Sequence, residues 1–181
     1  MVVLAVVALI FVWAVVIYNG FAQLRVRADG AWSDINVQLK RRYDLVPNLV
    51  ETVKGYAAHE SQVFQRVTEA RSRAMGAGSP GEKEAAEGAL AGALKSLFAV
   101  AENYPQLRAN ENFLGLQQSL TQVEEAVQGA RRYYNAVVRD YNTKRTVFPD
   151  RLIGQAGGFT AKEFFQLDAA DEAKAPKVSF S

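Results

Sequence analysis

The chain has 181 residues, of which 49% are hydrophobic and 22% are charged, and its formal net charge is +2. It contains one histidine and no cysteine, which excludes disulfide bonds, thiolate metal sites, iron–sulfur clusters and a cysteine nucleophile. A net charge this small does not create the broad positive field of a dedicated nucleic-acid-binding protein, so we expect nucleic acid not to be a partner.

The amino-terminal stretch is predicted to be a membrane anchor. Every residue from 2 to 17 is apolar, and no charged side chain occurs before Arg25. A helix rises about 1.5 Å per residue, so residues 2–21 span about 30 Å, the thickness of a bilayer's hydrocarbon core. Residues 1–21 are therefore predicted to be a transmembrane helix in contact with membrane lipid. A cleaved signal peptide is the alternative, but the stretch lacks a positively charged start and an Ala-x-Ala cleavage site.

The anchor is predicted to continue without a break into a first helix of the folded part. Apolar residues recur there in steps of three and four, which places them on one helical face: Phe21, Leu24, Ala28, Ala31, Ile35 and Leu39. We expect this helix to end near Asp44, because Pro47 has no amide donor and disfavours helix in the residue before it. Asp44 is then a candidate cap for a second helix that begins at residues 45–47.

Three further helices are predicted after this point. The second ends in a glycine- and proline-rich turn at residues 76–81, and the third runs from Glu82 to a stop at Tyr104 and Pro105. Both carry apolar residues at helical spacing, which we expect to be buried: Leu49, Val53, Tyr56, Val63 or Phe64, Val67, Ala70 and Ala74 in the second helix, and Leu90, Leu94, Leu97 and Ala101 in the third. The fourth continues to about Thr146. Its apolar positions alternate in steps of three and four, as in a coiled-coil or bundle seam: Phe113, Leu116, Leu120, Val123, Val127, Ala130, Tyr134, Val137 and Tyr141.

No alternating β-branched run long enough for a sheet occurs in the sequence. The predicted fold is therefore all-α, with an N-terminal transmembrane helix continuous with an antiparallel four-helix bundle over residues 22–146. Residues 147–181 are rich in glycine, proline and phenylalanine, and we expect an extended C-terminal segment packed on or near the bundle. Its predicted contacts are Phe159, Phe164, Phe165 and Phe180.

Five stretches of the chain form a recognisable set. In chain order they are QLKRRYDLVPNLVETVKGYAAHE at 38–60, VTEAR at 67–71, NYPQLRANENFLGLQQSLTQVE at 103–124, RRYYNAVVRDYNTKRTVFP at 131–149 and APKVSF at 175–180. Together they resemble the LemA family of bacterial membrane-anchored proteins. The resemblance implies a span in the bacterial cell (inner) membrane and a helical bundle. It implies no enzymatic activity, cofactor or catalytic residue.

The residues also give no sign of a catalytic or metal site. His59 is the only histidine, and a zinc-protease motif needs a second one at position 63, which is valine. We interpret His59 as a helix-surface or partner-contact residue. Basic side chains follow or precede the nearby acidic ones at three or four residues, so we interpret the acidic set as surface ion pairs: Asp44, Glu51, Glu60 and Glu69 with Arg41, Arg42, Lys54, Arg66 and Arg71. We therefore expect no catalytic residue, no cofactor and no metal.

Residues 131–151 form a basic, tyrosine-rich strip with six basic and two acidic side chains. Such a strip can bind anionic lipid, nucleic acid or another protein. Its tyrosines can equally be buried between helices with their hydroxyls hydrogen-bonded, while the arginines stay outside. The sequence leaves these alternatives open.

The leading hypothesis is a non-enzymatic, single-pass scaffold or adaptor that acts through its helical bundle and forms a homo-oligomer. We expect the membrane-proximal turns of the first helix to lack partners within the chain, so that neighbouring subunits cover them. The candidate interface residues are Leu24, Ala28, Ala31, Trp32, Ile35, Arg132 and Tyr133. The alternatives are a lipid- or nucleic-acid-binding module built on residues 131–151, and an enzyme whose carboxylates converge only in three dimensions. The sequence identifies no other protein partner.

The charge distribution predicts the orientation of the anchor. Five basic residues follow the span within about 20 residues, and a positive flank favours the cytoplasmic side: Arg25, Arg27, Lys40, Arg41 and Arg42. A reporter that works only in the cytoplasm should therefore be active when fused after Ser181, and one that works only outside it should be inactive. The reverse pattern of reporter activity would show that the folded part is extracytoplasmic.

Overall fold

The structure, a computed structural model, describes residues 1–166, and the predicted contact of Phe180 lies outside this range. Its helices are α1 (Val2–Lys54), α2 (Ser61–Gly76), α3 (Pro80–Glu102), α4 (Pro105–Arg108), α5 (Glu111–Thr146) and α6 (Asp150–Ala156). No strand occurs between residues 1 and 166, so the all-α prediction is confirmed for this part of the chain.

The amino-terminal part of α1 is long and apolar enough to cross a membrane. Only 6% of its most apolar 18-residue window is buried by the rest of the chain. A core helix of a soluble protein would be mostly buried, whereas a membrane span exposes its apolar side chains to lipid. The same helix continues without interruption to Lys54, which confirms that the anchor and the first helix of the folded part are one element.

The predicted end of this helix near Asp44 is wrong. Pro47 lies inside α1, and Asp44 is an exposed mid-helix residue paired with Lys40 at 2.8 Å rather than a helix cap. The chain leaves the helical conformation at residues 55–60 instead, so His59 is exposed in this break and not on a helix surface. Proline removes one hydrogen bond from a helix, and a side chain of α2 replaces it here, as described below.

The turn before α3 carries a local signal that starts the helix two residues before the predicted Glu82. The Ser79 hydroxyl accepts a hydrogen bond from the Glu82 amide at 3.2 Å, and the Glu82 carboxylate accepts one from the Ser79 amide at 3.1 Å. This reciprocal pair is a capping box, with Pro80 in the first helical turn. The backbone hydrogen bonds from Ser79 and Gly78 hold the pKa of Glu82 below its usual value.

The chain divides into two compact units, and α1 and α5 contribute residues to both. Unit 1 consists of residues 1–37 and 128–164, and unit 2 of residues 38–127 with the described residues after 164. The predicted boundaries at residues 21 and 146 and the antiparallel four-helix arrangement stay predictions.

Unit 2 buries the apolar stripes that the sequence predicted. Leu49, Val53, Leu94, Leu120 and Val127 are all buried, as the spacing of three and four requires. Tyr56 is an exception: it is 40% exposed, and its hydroxyl accepts a hydrogen bond from Asn110 at 3.1 Å.

Unit 1 has an aromatic core that involves the end of the anchor. Ile17, Phe21, Tyr141 and Phe159 form one buried cluster. The Phe21 ring stacks on Phe159 with centroids 4.9 Å apart and meets the edge of Tyr141 at 6.1 Å. Phe159 and Phe165 are buried as expected, whereas the prediction for Phe164 is wrong because its side chain is 39% exposed.

The buried seam of α5 gives a stability prediction. Leu120→Ala should lower the free energy of unfolding by about 2–5 kcal/mol, through lost contacts and the cavity that remains. Leu114→Ala, on the same helix at a position that is 48% exposed, should change it by less than about 0.5 kcal/mol. Denaturant titration of the full chain in detergent measures both values. Equal losses for the two variants would mean that Leu120 is not a core residue.

Candidate functional site

Unit 2 contains a buried ion cluster centred on Arg42, whose side chain is 4% exposed. One terminal nitrogen, Nη1, donates to the Glu87 carboxylate of α3 at 2.7 Å. The other, Nη2, lies 2.8 Å from the Glu124 carboxylate of α5. We call Arg42, Tyr43, Glu87 and Glu124 the Arg42 cluster. A single turn of α1 is thereby bound to two other helices through charged groups.

Tyr43 connects the Arg42 cluster to α2. Its hydroxyl donates to the second oxygen of Glu87, and the Ala74 carbonyl of α2 lies 3.2 Å away. Burial raises the pKa of Tyr43 far above its usual value, and the hydrogen bond to Glu87 raises it further. The hydroxyl therefore stays protonated and acts as a permanent donor.

Burial also raises the pKa of Glu124, with the Arg42 charge opposing this effect and the Glu87 charge adding to it. Removing one partner of the buried Arg42–Glu87 pair leaves an uncompensated charge, which costs about 3–5 kcal/mol. The Arg42 cluster therefore fixes which residues of α1, α3 and α5 face each other.

The main chain of Tyr43 makes a further contact, to Arg71 of α2. Pro47 has no N–H to donate to the carbonyl four residues earlier, which is that of Tyr43. Arg71 Nε donates to this carbonyl at 2.7 Å. The guanidinium thereby supplies the donor that the proline removed, so α1 stays helical through Pro47.

A groove of about 560 Å³ lies beside the Arg42 cluster, with Leu94, Phe98 and Leu120 among its apolar lining. Both terminal nitrogens of Arg42 are occupied by carboxylates of the chain itself. Within residues 1–166, no three His, Asp or Glu side chains are grouped so as to hold a metal ion. The polar groups of the cluster therefore connect α1 to α3 and α5.

In unit 1, the basic, tyrosine-rich strip holds an extended segment, residues 157–164, which we call the strap. Four side chains of α5 donate to carbonyl oxygens of the strap at 2.8–2.9 Å: Tyr134 to Glu163, Tyr141 to Thr160, Asn142 to Lys162 and Arg145 to Phe159. Lys162 also reaches α1, where its Nζ lies 2.7 Å from the Asp29 carboxylate. Burial raises the pKa of both tyrosines, so they remain neutral donors.

These bonds favour one of the alternatives for residues 131–151. The hydroxyls of Tyr134 and Tyr141 are used inside the chain, as in the interpretation of buried and hydrogen-bonded tyrosines. Arg132 and Tyr133 point outward, and Tyr133 is 55% exposed. Of the strip's aromatic side chains, Tyr133 is the one on α5 that remains available to a partner.

The other predicted interface residues lie mostly inside unit 1. Ala28, Ala31 and Ile35 are buried within a single chain. Leu24 packs against the aromatic core, and the half-buried Trp32 lies 5.3 Å from the Tyr134 ring. The expectation that these turns lack partners within the chain is therefore wrong, because α5 and the strap supply them. A role in an interface between subunits stays a prediction.

The sequence model of the LemA family matches residues 31–180, which is most of the chain. The chain belongs to the LemA family. Among its curated relatives is magnetosome protein MamQ 2 of Paramagnetospirillum magneticum, 27% identical over 86% of this chain and 66% of that protein. MamQ of Magnetospirillum gryphiswaldense is 24% identical with the same coverage. Protein LemA of Metamycoplasma hominis is 26% identical over 70% of this chain and 58% of that protein.

This LemA-family chain thus spans about two thirds or less of the length of these relatives. None of the three names describes an enzymatic activity.

The Arg42 cluster of this LemA-family chain was missed by sequence reasoning. Arg42 and Arg71 were assigned to surface ion pairs, which is wrong, since both bond to groups elsewhere in unit 2. A signal was available on α3, where Lys83 and Glu87 fall on the same helical stripe as Leu90 and are buried with it. A charged residue in an apolar stripe needs a buried partner.

Two acidic residues of the set predicted to form surface ion pairs do so on exposed helix faces. Glu51 pairs with Lys54 at 3.6 Å and Glu69 with Arg73 at 3.7 Å, all with exposed side chains. Such exposed pairs contribute about 0–1 kcal/mol to stability.

The contact between Arg71 and the Tyr43 carbonyl gives a double-mutant prediction. Arg71→Met keeps the apolar stem but leaves the carbonyl without its donor, so it should cost about 1–3 kcal/mol of unfolding free energy. In a Pro47→Ala background the new amide can bond to the same carbonyl, and the cost of Arg71→Met should fall. Denaturant titrations of the four variants give the coupling energy.

Arg73→Met, on the exposed face of α2, is the matched control and should show no coupling to Pro47. An equal cost of Arg71→Met in both backgrounds would mean that the guanidinium does not replace the missing helix hydrogen bond.

Proposed function

We propose that this LemA-family chain is a non-enzymatic, membrane-anchored interaction or assembly protein that acts through its helical part. The observation that carries the proposal is the continuity of α1, whose 53 residues include both the exposed apolar stretch and residues buried in each folded unit. The anchor and the folded part of the chain therefore share one helix, α1. A protein built in this way holds its helical surfaces at a membrane.

The non-enzymatic part of the proposal is supported by the use of the polar groups. In the Arg42 cluster, both terminal nitrogens of the guanidinium bond to carboxylates, and in the strip at 131–151 the tyrosines, Asn142 and Arg145 donate to backbone carbonyls. Active sites are typically places where such groups converge on an open pocket with perturbed pKa values. Here the polar groups instead bond to other helices and to the strap.

The proposed assembly is a homo-oligomer in the bacterial inner membrane with the folded part in the cytoplasm. Because Ala28, Ala31 and Ile35 are covered within one chain, the exposed pair Arg132 and Tyr133 becomes the leading contact surface. Arginine and tyrosine are the residue types most often found at the energetic centre of interfaces.

Membrane attachment is tested with paired charge variants. Leu9→Arg combined with Val12→Arg places two charges in the middle of the span, at about 2.5–3.5 kcal/mol each on the insertion scale. The full chain should then move from the membrane pellet to the soluble fraction of a lysate. Asn19→Arg, at the end of the span where arginine reaches the interface, should leave the chain in the pellet. A soluble wild-type chain would contradict the proposal.

Assembly is tested by a photo-reactive amino acid at position 133 in membranes of producing cells. Irradiation should give covalent products at multiples of the 19.9 kDa chain mass. The same group at the buried position 127 is the matched control on α5 and should give none. Monomer alone at position 133, with dimer absent also under a lysine cross-linker, would remove homo-oligomerisation from the proposal.

A further inference from the structure

Unit 1 exposes an apolar patch at the start of α6. Val147 is 45% exposed, Leu152 is 52% exposed and Phe148 is 76% exposed. They lie within six residues of one another in the chain, with Val147 and Phe148 in the turn before α6 and Leu152 in the first turn of that helix. Single exposed apolar side chains are common on proteins, but a local group of three marks a surface with a partner.

The contacts of α6 indicate which partner the exposed apolar patch has. A Cβ atom added to Gly154 of α6 would lie 3.0 Å from Cζ of Phe21, so the helix backbone touches the last turns of the anchor. Tyr18 meets Phe159 edge-on at 5.3 Å, just after α6. A shallow apolar hollow is lined by Ala14, Val15 and Tyr18 of α1 and by Ile153, Ala156 and Gly157. The helix that carries Leu152 therefore packs on the end of the anchor.

An ion pair indicates the level of α6 relative to the edge of the bilayer's hydrocarbon core. Lys144 pairs with Asp150, the first residue of α6, at 2.8 Å. The Lys144 side chain passes over the anchor, with Cε 3.2 Å from the Cβ position of Gly20 and Nζ 5.3 Å from the Phe21 ring. Charged groups are expensive in the hydrocarbon core, so its edge lies at about the level of Gly20. Residues 147–152 are then at the boundary between acyl chains and headgroups.

The charges around this level fit a phospholipid surface. Arg25 and Arg27 are exposed within two turns of Gly20, and Arg151 is exposed on α6 between Asp150 and Leu152. Basic residues at a membrane surface are attracted to anionic headgroups, while aromatic and aliphatic side chains beside them enter the interface.

We propose that residues 147–156 form an interfacial element that inserts Phe148 and Leu152 into the headgroup boundary of the bilayer crossed by residues 2–21. This inference rests on the proposed membrane anchor and adds a second attachment to it. The strap and the Lys144–Asp150 pair hold the element against the anchor. Unit 1 is thereby held at one tilt relative to the bilayer surface, which a single span alone does not fix.

The absence of cysteine from the sequence allows a direct test, since each single-cysteine variant takes one label. Leu152→Cys and Val37→Cys are labelled with the same environment-sensitive fluorophore in the full chain, reconstituted in vesicles that contain anionic phospholipid. Val37 is the matched control, because it is 48% exposed on α1 and lies outside the proposed contact between subunits. It lies 16 residues beyond Phe21, about 24 Å farther from the anchor along α1. The affinity of the fluorophore itself for lipid is the same at both positions.

Lipids that carry a quencher near the headgroup should quench the label at position 152 several-fold more than the label at position 37, and aqueous iodide should show the opposite order. Equal iodide quenching at the two positions would overturn the proposal. So would shielding of position 152 from both quenchers together with disulfide dimers of the unlabelled Leu152→Cys chain, because a second copy would then cover the patch.

A third variant separates this inference from the proposed anchor. The label in Val12→Cys should be quenched by lipids that carry the quencher deep in the acyl chains. If position 12 is quenched and position 152 is not, the anchor stands and the interfacial element is wrong. If neither position is quenched by lipid, the membrane anchor itself has failed.

Discussion

The carbonyl group of Tyr43 is the point on which the continuity of the molecule depends. A proline four residues later takes away its helical donor, and an uncompensated carbonyl together with the proline ring would favour a break in α1 at this place. Arg71 of α2 donates to that carbonyl instead. Because the helix stays intact, the residues that enter unit 2 remain on the same helix as the exposed apolar residues at its start.

The Arg42 cluster builds on that continuity. Buried ion pairs add little stability compared with apolar residues of the same volume, but each unpaired member is strongly destabilising. Arg42 and Tyr43 together contact polar groups of α2, α3 and α5. A shift of α1 by one residue would therefore leave several buried polar groups without hydrogen-bond partners. We interpret the cluster as a device that selects one arrangement of helices, as buried polar residues do in coiled coils.

In unit 1, an extended segment is attached to a helix through side-chain hydrogen bonds and not through a sheet. A strap leaves its carbonyl groups without partners, and buried carbonyls must be satisfied. The long polar side chains of α5 reach them, and the amide of Asn142 both donates to and accepts from Lys162. These hydrogen bonds hold the strap where Phe159 packs on Phe21 and α6 packs on the end of the anchor. The position of the proposed interfacial element therefore depends on hydrogen bonds donated by side chains of α5.

The sequence by itself determined the features that depend on neighbours within a few residues. These are the apolar span, the buried stripes such as Leu49 and Leu120, and the helix stop before Pro105. Periodicity and caps are local signals, so they can be read along the chain. The tertiary structure decided what happens at Pro47, where the replacing donor comes from a residue 28 positions away from Tyr43. It also decided that Arg42 is buried rather than exposed and that α6 packs on the anchor, because both depend on groups that only the folded chain brings together.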